Sequence, residues 1–304
     1  MYDLMIIGAG PAGLAASVYA ARKQLKTLLV SYDIGGQLNW NARVENYLGY
    51  QFIEGWELVS KFQVQIKQYP IEQNIGQNII RIIRTNNMFT ALSEVNEKFQ
   101  SKAVVFATGK RSKLLNVPGE KEFTGRGVSY CSICDGPVFA GKKVAVIGGG
   151  NSALEAALDM VHIAEHIYLI SLTHLTADNI LINRLMEAKN VTVNTEYSVE
   201  KIDGEQFVSN IAIKNVKNRQ NLVLDVSGVF VEIGMIPNSD PVKELLLLNE
   251  RDEISINCSG ETSIAGFFAA GDVTSAPEKQ IVVAAGDGAK AALRAHRYLQ
   301  RLVD

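Results

Sequence analysis

The sequence predicts an α/β protein in which one strand–turn–helix unit occurs twice. The first copy opens the chain, where the apolar run in "YDLMIIGAGPAG" feeds a turn carrying Gly8, Gly10 and Gly13 and then an Ala-rich stretch. The second copy is "KKVAVIGGGNSALEAALDM", with Gly148, Gly150 and Ala153 in the same three positions after the strand-like run Val144–Ile147. Each copy is followed by a β-rich passage, as expected when short antiparallel strands are attached to a parallel sheet.

The elements follow in order. Beyond Gly13 the Ala-rich segment has helical spacing, and a second apolar run ends near Asp33, giving strand, helix, strand. Glycines at this spacing permit a tight turn, close approach of a pyrophosphate to the backbone, and close helix–sheet packing. The helix N-terminus then faces the phosphate. Asp33 lies where a ribose hydroxyl would need an acceptor, so the first unit reads as a dinucleotide site with Gly8, Gly10, Pro11, Ala12 and Gly13 at its turn. The segment "IIRTNNMFTALSEVNEKFQSKAVVFATG" predicts hairpin strands before a strand over 103–107. In the second unit Gly148, Gly150, Asn151 and Ser152 form a possible second nucleotide site, the alternative being a duplicated fold whose second site has decayed. A further β-rich passage runs from "EKIDGEQF" to "VFVEIG"; "GFFAAGDVTS" predicts a short strand breaking at Gly271–Asp272, and helical spacing resumes near Gln280.

Composition narrows the function classes. The 304 residues are 47% hydrophobic and 20% charged, enough for more than one core, and two domains are expected. Thirty basic against 32 acidic residues give a net charge of -2, which supplies no global field for nucleic acid or an anionic membrane. No apolar stretch approaches the length of a membrane span, and no leader pattern opens the sequence, so a cytoplasmic protein is expected.

Three cysteines occur, Cys131, Cys134 and Cys258, an odd number that argues against a secreted disulfide scaffold. The pair in "YCSICDGPVF" fits half a zinc site, two inert thiols, or a redox couple. Zinc needs four ligands, whereas here one pair stands with a distant third cysteine and four scattered histidines. Of these, His162 and His166 read as surface residues one turn apart at a helix end; no metal is expected. The redox reading uses more of the segment: the spacing lets the sulfurs bond, Gly136–Pro137 ends the turn, and Asp135 supplies the acid–base group that thiol–disulfide exchange requires. The alternative for Asp135 is a cap.

Taken together, "GAGPAG", "GGQL" at Gly35–Leu38, "VENYLG" at Val44–Gly49, "ATG" at Ala107–Gly109, "CSICDG", "VIGGGNSALEAA", "GMIPN" at Gly234–Asn238 and "GFFAAGDVT" resemble the low-molecular-weight thioredoxin reductase family over essentially the whole chain. The stretch after the cysteines is also similar to the flavoprotein subunit of alkyl hydroperoxide reductase, whose extra N-terminal thioredoxin-like region this chain is expected to lack. The resemblance implies two Rossmann-like dinucleotide-binding domains of the three-layer FAD/NAD(P) type, the second inserted into the first: an FAD domain of residues 1–115 and 240–304, and an NAD(P)-like domain of 116–239 carrying the redox pair. It implies FAD held by the first glycine turn with Asp33, Gly36, Gln37, Leu38, Asn46, Thr108, Gly109, Gly271, Asp272, Gln280 and Ile281. It also implies that Cys134 faces the flavin, that Cys131 attacks the partner disulfide, that Asp135 moves the proton, and that the protein is a homodimer whose inserted domain reorients.

One block departs from that family. NADPH-dependent members carry a basic cluster after the second strand of the inserted domain; here Ser171, Leu172 and Thr173 stand in its place, and no Arg or Lys occurs between Tyr168 and Arg184. These side chains cannot make a guanidinium–phosphate contact, which speaks against NADPH. An NADH site normally has Asp or Glu at this strand end, and Asp178 lies further along. The readings left open are NADH with loose ribose recognition, a non-nicotinamide donor such as ferredoxin, and a dithiol oxidase passing electrons to oxygen. A flavin-binding sensor is a fourth. The expected partner is a thioredoxin-like or peroxiredoxin-type protein disulfide.

Overall fold

The computed structural model describes residues 1–40 and 43–302 and divides into two compact units, Met1–Arg111 with Ile236–Asp304, and Ser112–Met235. The boundaries expected from the sequence, at 115/116 and 239/240, fall four residues later; residues 303 and 304 of the expected second segment lie outside those described.

The first unit starts with β1 (Tyr2–Ala9), α1 (Pro11–Arg22) and β2 (Thr27–Ile34). Residues Leu4 to Ala9 are all buried, as befits the middle strand of a parallel sheet covered on both faces. After α2 (Gly55–Ile66) come β3 (Glu72–Ile75), β4 (Ile79–Thr85), β5 (Met88–Ser93) and β6 (Lys98–Phe106). The sheet order is β3-β2-β1-β6-β5-β4, with β1, β2, β3 and β6 parallel and β4, β5 forming an antiparallel meander. Strand β6 is shared: Lys98–Ser101 pairs with β5, while Val104–Phe106 pairs in parallel with a late strand (Phe267–Ala269) that returns from the far end of the chain.

The second unit contains β7 (Val128–Ser129), α3 (Ser132–Asp135), β8 (Lys143–Ile147), α4 (Asn151–Met160), β9 (His166–Ser171), α5 (Asn179–Met186) and β10 (Val191–Thr195). An antiparallel sheet follows, β11 (Tyr197–Gly204), β12 (Val208–Asn215) and β13 (Asn221–Asp225), and then β14 (Gly228–Val231). The parallel sheet runs β7-β14-β8-β9-β10. Residues His162 and His166 do not share a helix: α4 ends at Met160, and His166 opens β9, where its Nε2 lies 2.9 Å from Thr192 Oγ1 and its ring meets Tyr168 edge-on. A turn over 161–163 consumes the spacing that suggested one helical face.

The chain closes in the first unit with β15 (Phe267–Ala269) and α6 (Ile281–Gln300). Helix α6 lies against α1 through alanines and a glycine: Ala291, Ala292 and Ala295 are buried, and a Cβ at Gly288 would fall 1.9 Å from the Ala12 carbonyl oxygen. Close backbone approach also fixes the turn between β1 and α1. Gly8 has φ +101°, and a Cβ at Gly13 would fall 1.7 Å from Gly8 O.

Replacing Gly13 by Ala is therefore expected to displace the turn and cost about 1–3 kcal/mol, read as a lower urea midpoint. Position 10 serves as the control, because a Cβ there meets nothing within 4 Å. Gly10→Ala should cost at most about 1 kcal/mol.

Candidate redox and nucleotide sites

In the second unit the cysteines are bonded to each other, with Cα atoms 5.3 Å apart, which leaves neither free as a metal ligand. Cys131 is extended (φ -148°) and caps α3, its Sγ accepting the Cys134 N–H at 3.2 Å. Both cysteines are half-buried, and Ile133 between them is 61% exposed, so the pair lies near the surface with an apolar side chain beside it.

Ser129, at the end of β7, organises the segment. Its hydroxyl accepts the Cys131 N–H at 3.1 Å and donates to Asp135 Oδ2 at 2.5 Å. The Asp135 N–H in turn donates to Cys131 O at 3.1 Å. Burial pushes the Asp135 carboxyl above the usual range, opposed by the Ser129 hydroxyl. A second acid joins it that sequence reasoning missed. Glu232 follows β14, accepts the Ser132 N–H, and is raised by burial to about 7. Its one signal in "VFVEIG" is a charge at the end of an apolar strand.

The second glycine turn lies at the end of β8. Gly148 has φ +143° and packs on the Glu232 carbonyl, where a Cβ would come within 2.4 Å. The loop after β9 folds back on this turn: the Thr176 N–H donates to Gly149 O at 2.7 Å, and a Cβ at Gly149 would meet Ser171 Oγ at 2.3 Å. Asn151 and Asp178 clasp each other, Asn151 Nδ2 donating to Asp178 Oδ2 (2.9 Å) and the Asp178 N–H to Asn151 Oδ1 (2.8 Å). Asp178, distant along the sequence, is thus held against the first residue of α4. Ser171 is buried, and Ser152 is exposed.

In the first unit the strand ends gather most of the residues expected around a flavin. Gln37 Nε2 donates to Asp272 Oδ2 (3.2 Å), and Asn46 Nδ2 to Gln280 Oε1 (3.0 Å), each joining residues more than 230 positions apart. Gly36 approaches Gly10, with a Cβ position 3.5 Å from its Cα, and Gly271 (φ +72°) abuts Ala12. Asp33 lies near the end of β2, half-buried, and Gly109 has φ +66° with open space beside it. The side chains of three further expected residues have protein contacts. Leu38 is core, packed with Val44, Ile53, Leu58 and Val59, and Ile281 packs against that cluster. Thr108 Oγ1 donates to Asn238 O, which ties the loop after β6 to the chain's return into this unit.

An ion network without a sequence signal underlies Asp272. Lys110 pairs with Glu253, Lys279 lies 3.5 Å from the same carboxylate, and Lys279 also donates to Thr274 O. Burial raises the Asp272 carboxyl, opposed by Lys279 and Lys110, and burial lowers the Lys279 ammonium. Asp287 Oδ2 is buried without a hydrogen-bond partner among the described residues. Open space beside Gly10, a turn at Gly8 and Gly13 that tolerates no side chains, and a half-buried acceptor at Asp272 fit a dinucleotide with a polyhydroxyl chain such as FAD.

Comparison with known proteins agrees with this architecture. The family model for pyridine nucleotide-disulphide oxidoreductases matches residues 2–288. A subunit of alkyl hydroperoxide reductase from Staphylococcus aureus (strain MSSA476) is 40% identical over 301 residues, covering 99% of this chain and 59% of that protein. The chain therefore spans about three-fifths of the length of the curated relatives it matches. The structure of thioredoxin reductase from Streptococcus pyogenes MGAS5005 superposes with a TM-score of 0.94 at 36% identity and 99% coverage of both chains. That from Giardia duodenalis gives 0.92 at 31% identity, covering 98% of this chain and 99% of the other. A bonded C-x-x-C in a chain with two glycine turns, matched over almost its whole length by these folds, places the chain in the pyridine nucleotide-disulphide oxidoreductase family, with the fold of the low-molecular-weight thioredoxin reductases.

Proposed function

We propose that the protein is a flavin-dependent disulfide reductase acting through Cys131–Cys134 on a thioredoxin-like or peroxiredoxin-type protein disulfide. The observation that carries this reading is the bonded pair capping α3 beside a carboxyl of raised pKa. FAD is the cofactor, with the first glycine turn, Gln37, Asn46, Asp272 and Gln280 as its holders; when bound it supplies a two-electron carrier.

The exchange chemistry belongs to the pair. In the dithiol state the Cys131 thiolate attacks one sulfur of the partner disulfide, forming a mixed disulfide and releasing the other partner sulfur as a thiolate that takes up a proton. Cys134 then loses its proton and attacks Cys131 Sγ, which re-forms the Cys131–Cys134 bond and frees the second partner thiol. Two electrons and two protons pass to the partner. Asp135, hydrogen-bonded to Ser129 next to Cys134, gives and takes the proton. The cap N–H from Cys134 to Cys131 Sγ favours charge on the attacking sulfur.

The electron donor is NADH or a non-nicotinamide donor such as ferredoxin, and NADPH is disfavoured. The support is the strand end at Ser171: this side chain is buried against Gly149, and the loop that follows carries no Arg or Lys to meet a 2′-phosphate. A homodimer is part of the same reading, on the family resemblance alone. A dithiol oxidase with oxygen as acceptor is the second reading; the exposed Ile133 beside the pair favours a protein partner instead.

Cys131→Ser should retain flavin and lose protein-disulfide reduction at least ~1000-fold, measured with thioredoxin as acceptor. Full activity in this variant would refute the assignment. Anaerobic stopped-flow mixing should show flavin bleaching by NADH or by reduced ferredoxin that is faster than by NADPH. Rapid bleaching by NADPH would overturn the donor reading while leaving the disulfide reading intact.

A further inference from the structure

Glu232 lies where the parallel strands of the second unit run out. Strand β7 pairs with β14 in parallel register, Val128 opposite Val229 and Ser129 opposite Phe230. Carried two residues further, that register sets Cys131 level with Glu232. On the other side of β14, Ile147 pairs with Val231, and the Glu232 N–H donates to Ile147 O at 2.8 Å, so Gly148 is level with the same residue. The Glu232 carboxyl reaches the first of these neighbours: it accepts the N–H of Ser132, the peptide that joins Cys131 to α3. Ser132 is buried and Glu232 half-buried.

Among the described residues no cation contributes to the ionisation of Glu232; burial raises the carboxyl to about 7, and only the Ser132 N–H opposes this. The titratable and charged groups on the surrounding elements are few. They are Cys131, Cys134 and Asp135 on α3 and its cap, Tyr130 before them, the exposed Lys143 at the start of β8, the exposed Glu155 and Asp159 on α4, and Lys113, whose Nζ lies 3.8 Å from a Cβ position at Gly234. A carboxyl that takes the N–H of the residue following a thiol makes the two ionisations interdependent.

We propose that Glu232 is a positioning residue of the Cys131–Cys134 dithiol, fixing the Cys131–Ser132 peptide through its carboxyl and suppressing thiolate at Cys131 when that carboxyl is ionised. Glu232 forms no bond to sulfur and exchanges only its own proton with solvent. With the carboxyl neutral, the Cys131 thiolate keeps the full benefit of the helix-cap N–H. With the carboxyl ionised, a second negative charge opposes it, so reactivity of the dithiol rises with pH less steeply than that of an isolated thiol. The inference rests on the reading of the pair as a redox centre.

The test uses the full-length flavoprotein carrying Asp135→Asn, so that Glu232 is the carboxyl left to titrate beside the pair. After reduction by a small dithiol, alkylation of Cys131 by iodoacetamide is followed from about pH 5.5 to 9.5, with the site identified by mass. The expected rate profile is broader than a single titration. Adding Glu232→Gln, which keeps an acceptor for Ser132, should restore a single-titration profile and raise the rate at pH 8 by about 3–10-fold. Adding Glu232→Asp should preserve the broad profile. Superimposable profiles for the Glu and Gln proteins overturn the proposal, as does a change by one constant factor at every pH. If Cys131 stays unreactive after reduction in the wild-type protein as well, the redox reading itself fails, and the inference falls with it.

Discussion

Parallel strands that end together at one edge of a sheet are the constraint on which both units depend. In the first unit β1, β2 and β6 run out beside one another, and the chain must turn at Gly8 with a positive φ that a side chain would strain. The close contact of Gly13 with Gly8 O holds α1 against that edge, and α6 can then approach α1 only because Gly288 meets the Ala12 carbonyl without a Cβ. In the second unit the same edge brings the ends of β7, β14 and β8 to one level. Cys131, Glu232 and Gly148 are neighbours there because the strands are in parallel register, although they are far apart in sequence.

This arrangement explains how two chemistries share one kind of scaffold. A glycine turn at a strand end presents backbone N–H groups and a helix N-terminus to anions, while the adjoining strand end is free to carry reactive side chains. In the second unit the adjoining strand, β7, leads into a four-residue helix whose cap is a cysteine. Ser129 then ties the cap to Asp135 through a single hydroxyl. Burial raises the half-buried carboxyls of Asp135 and Glu232, so two acids of raised pKa belong to the segment that carries the sulfurs or bond to it.

Much of this is legible in the sequence, and the exceptions have physical reasons. The two glycine turns, the hairpins before β6 and the long final helix follow from period and punctuation, which are local signals. The redox pair is legible because its spacing, its acid and the following Gly–Pro lie in one short segment. Ser129, Glu232 and the Lys110–Glu253–Lys279 network are not, because each acquires its meaning from a strand or loop distant in sequence. His162 and His166 have the spacing of a helical face, but a turn intervenes and His166 begins a strand. Asp178 looks too remote along the chain to join the second glycine turn, and folding closes that distance through Asn151.

The central claim is that a flavin and the Cys131–Cys134 disulfide store electrons in the same chain. Anaerobic titration of the FAD-loaded protein with dithionite, followed by flavin absorbance and by thiol count, tests it most directly. The account predicts uptake of two electron pairs per chain, one by the flavin and one by the disulfide, with Cys134→Ser taking up a single pair. Uptake of one pair by both proteins, with no new thiols in the wild type, would contradict it.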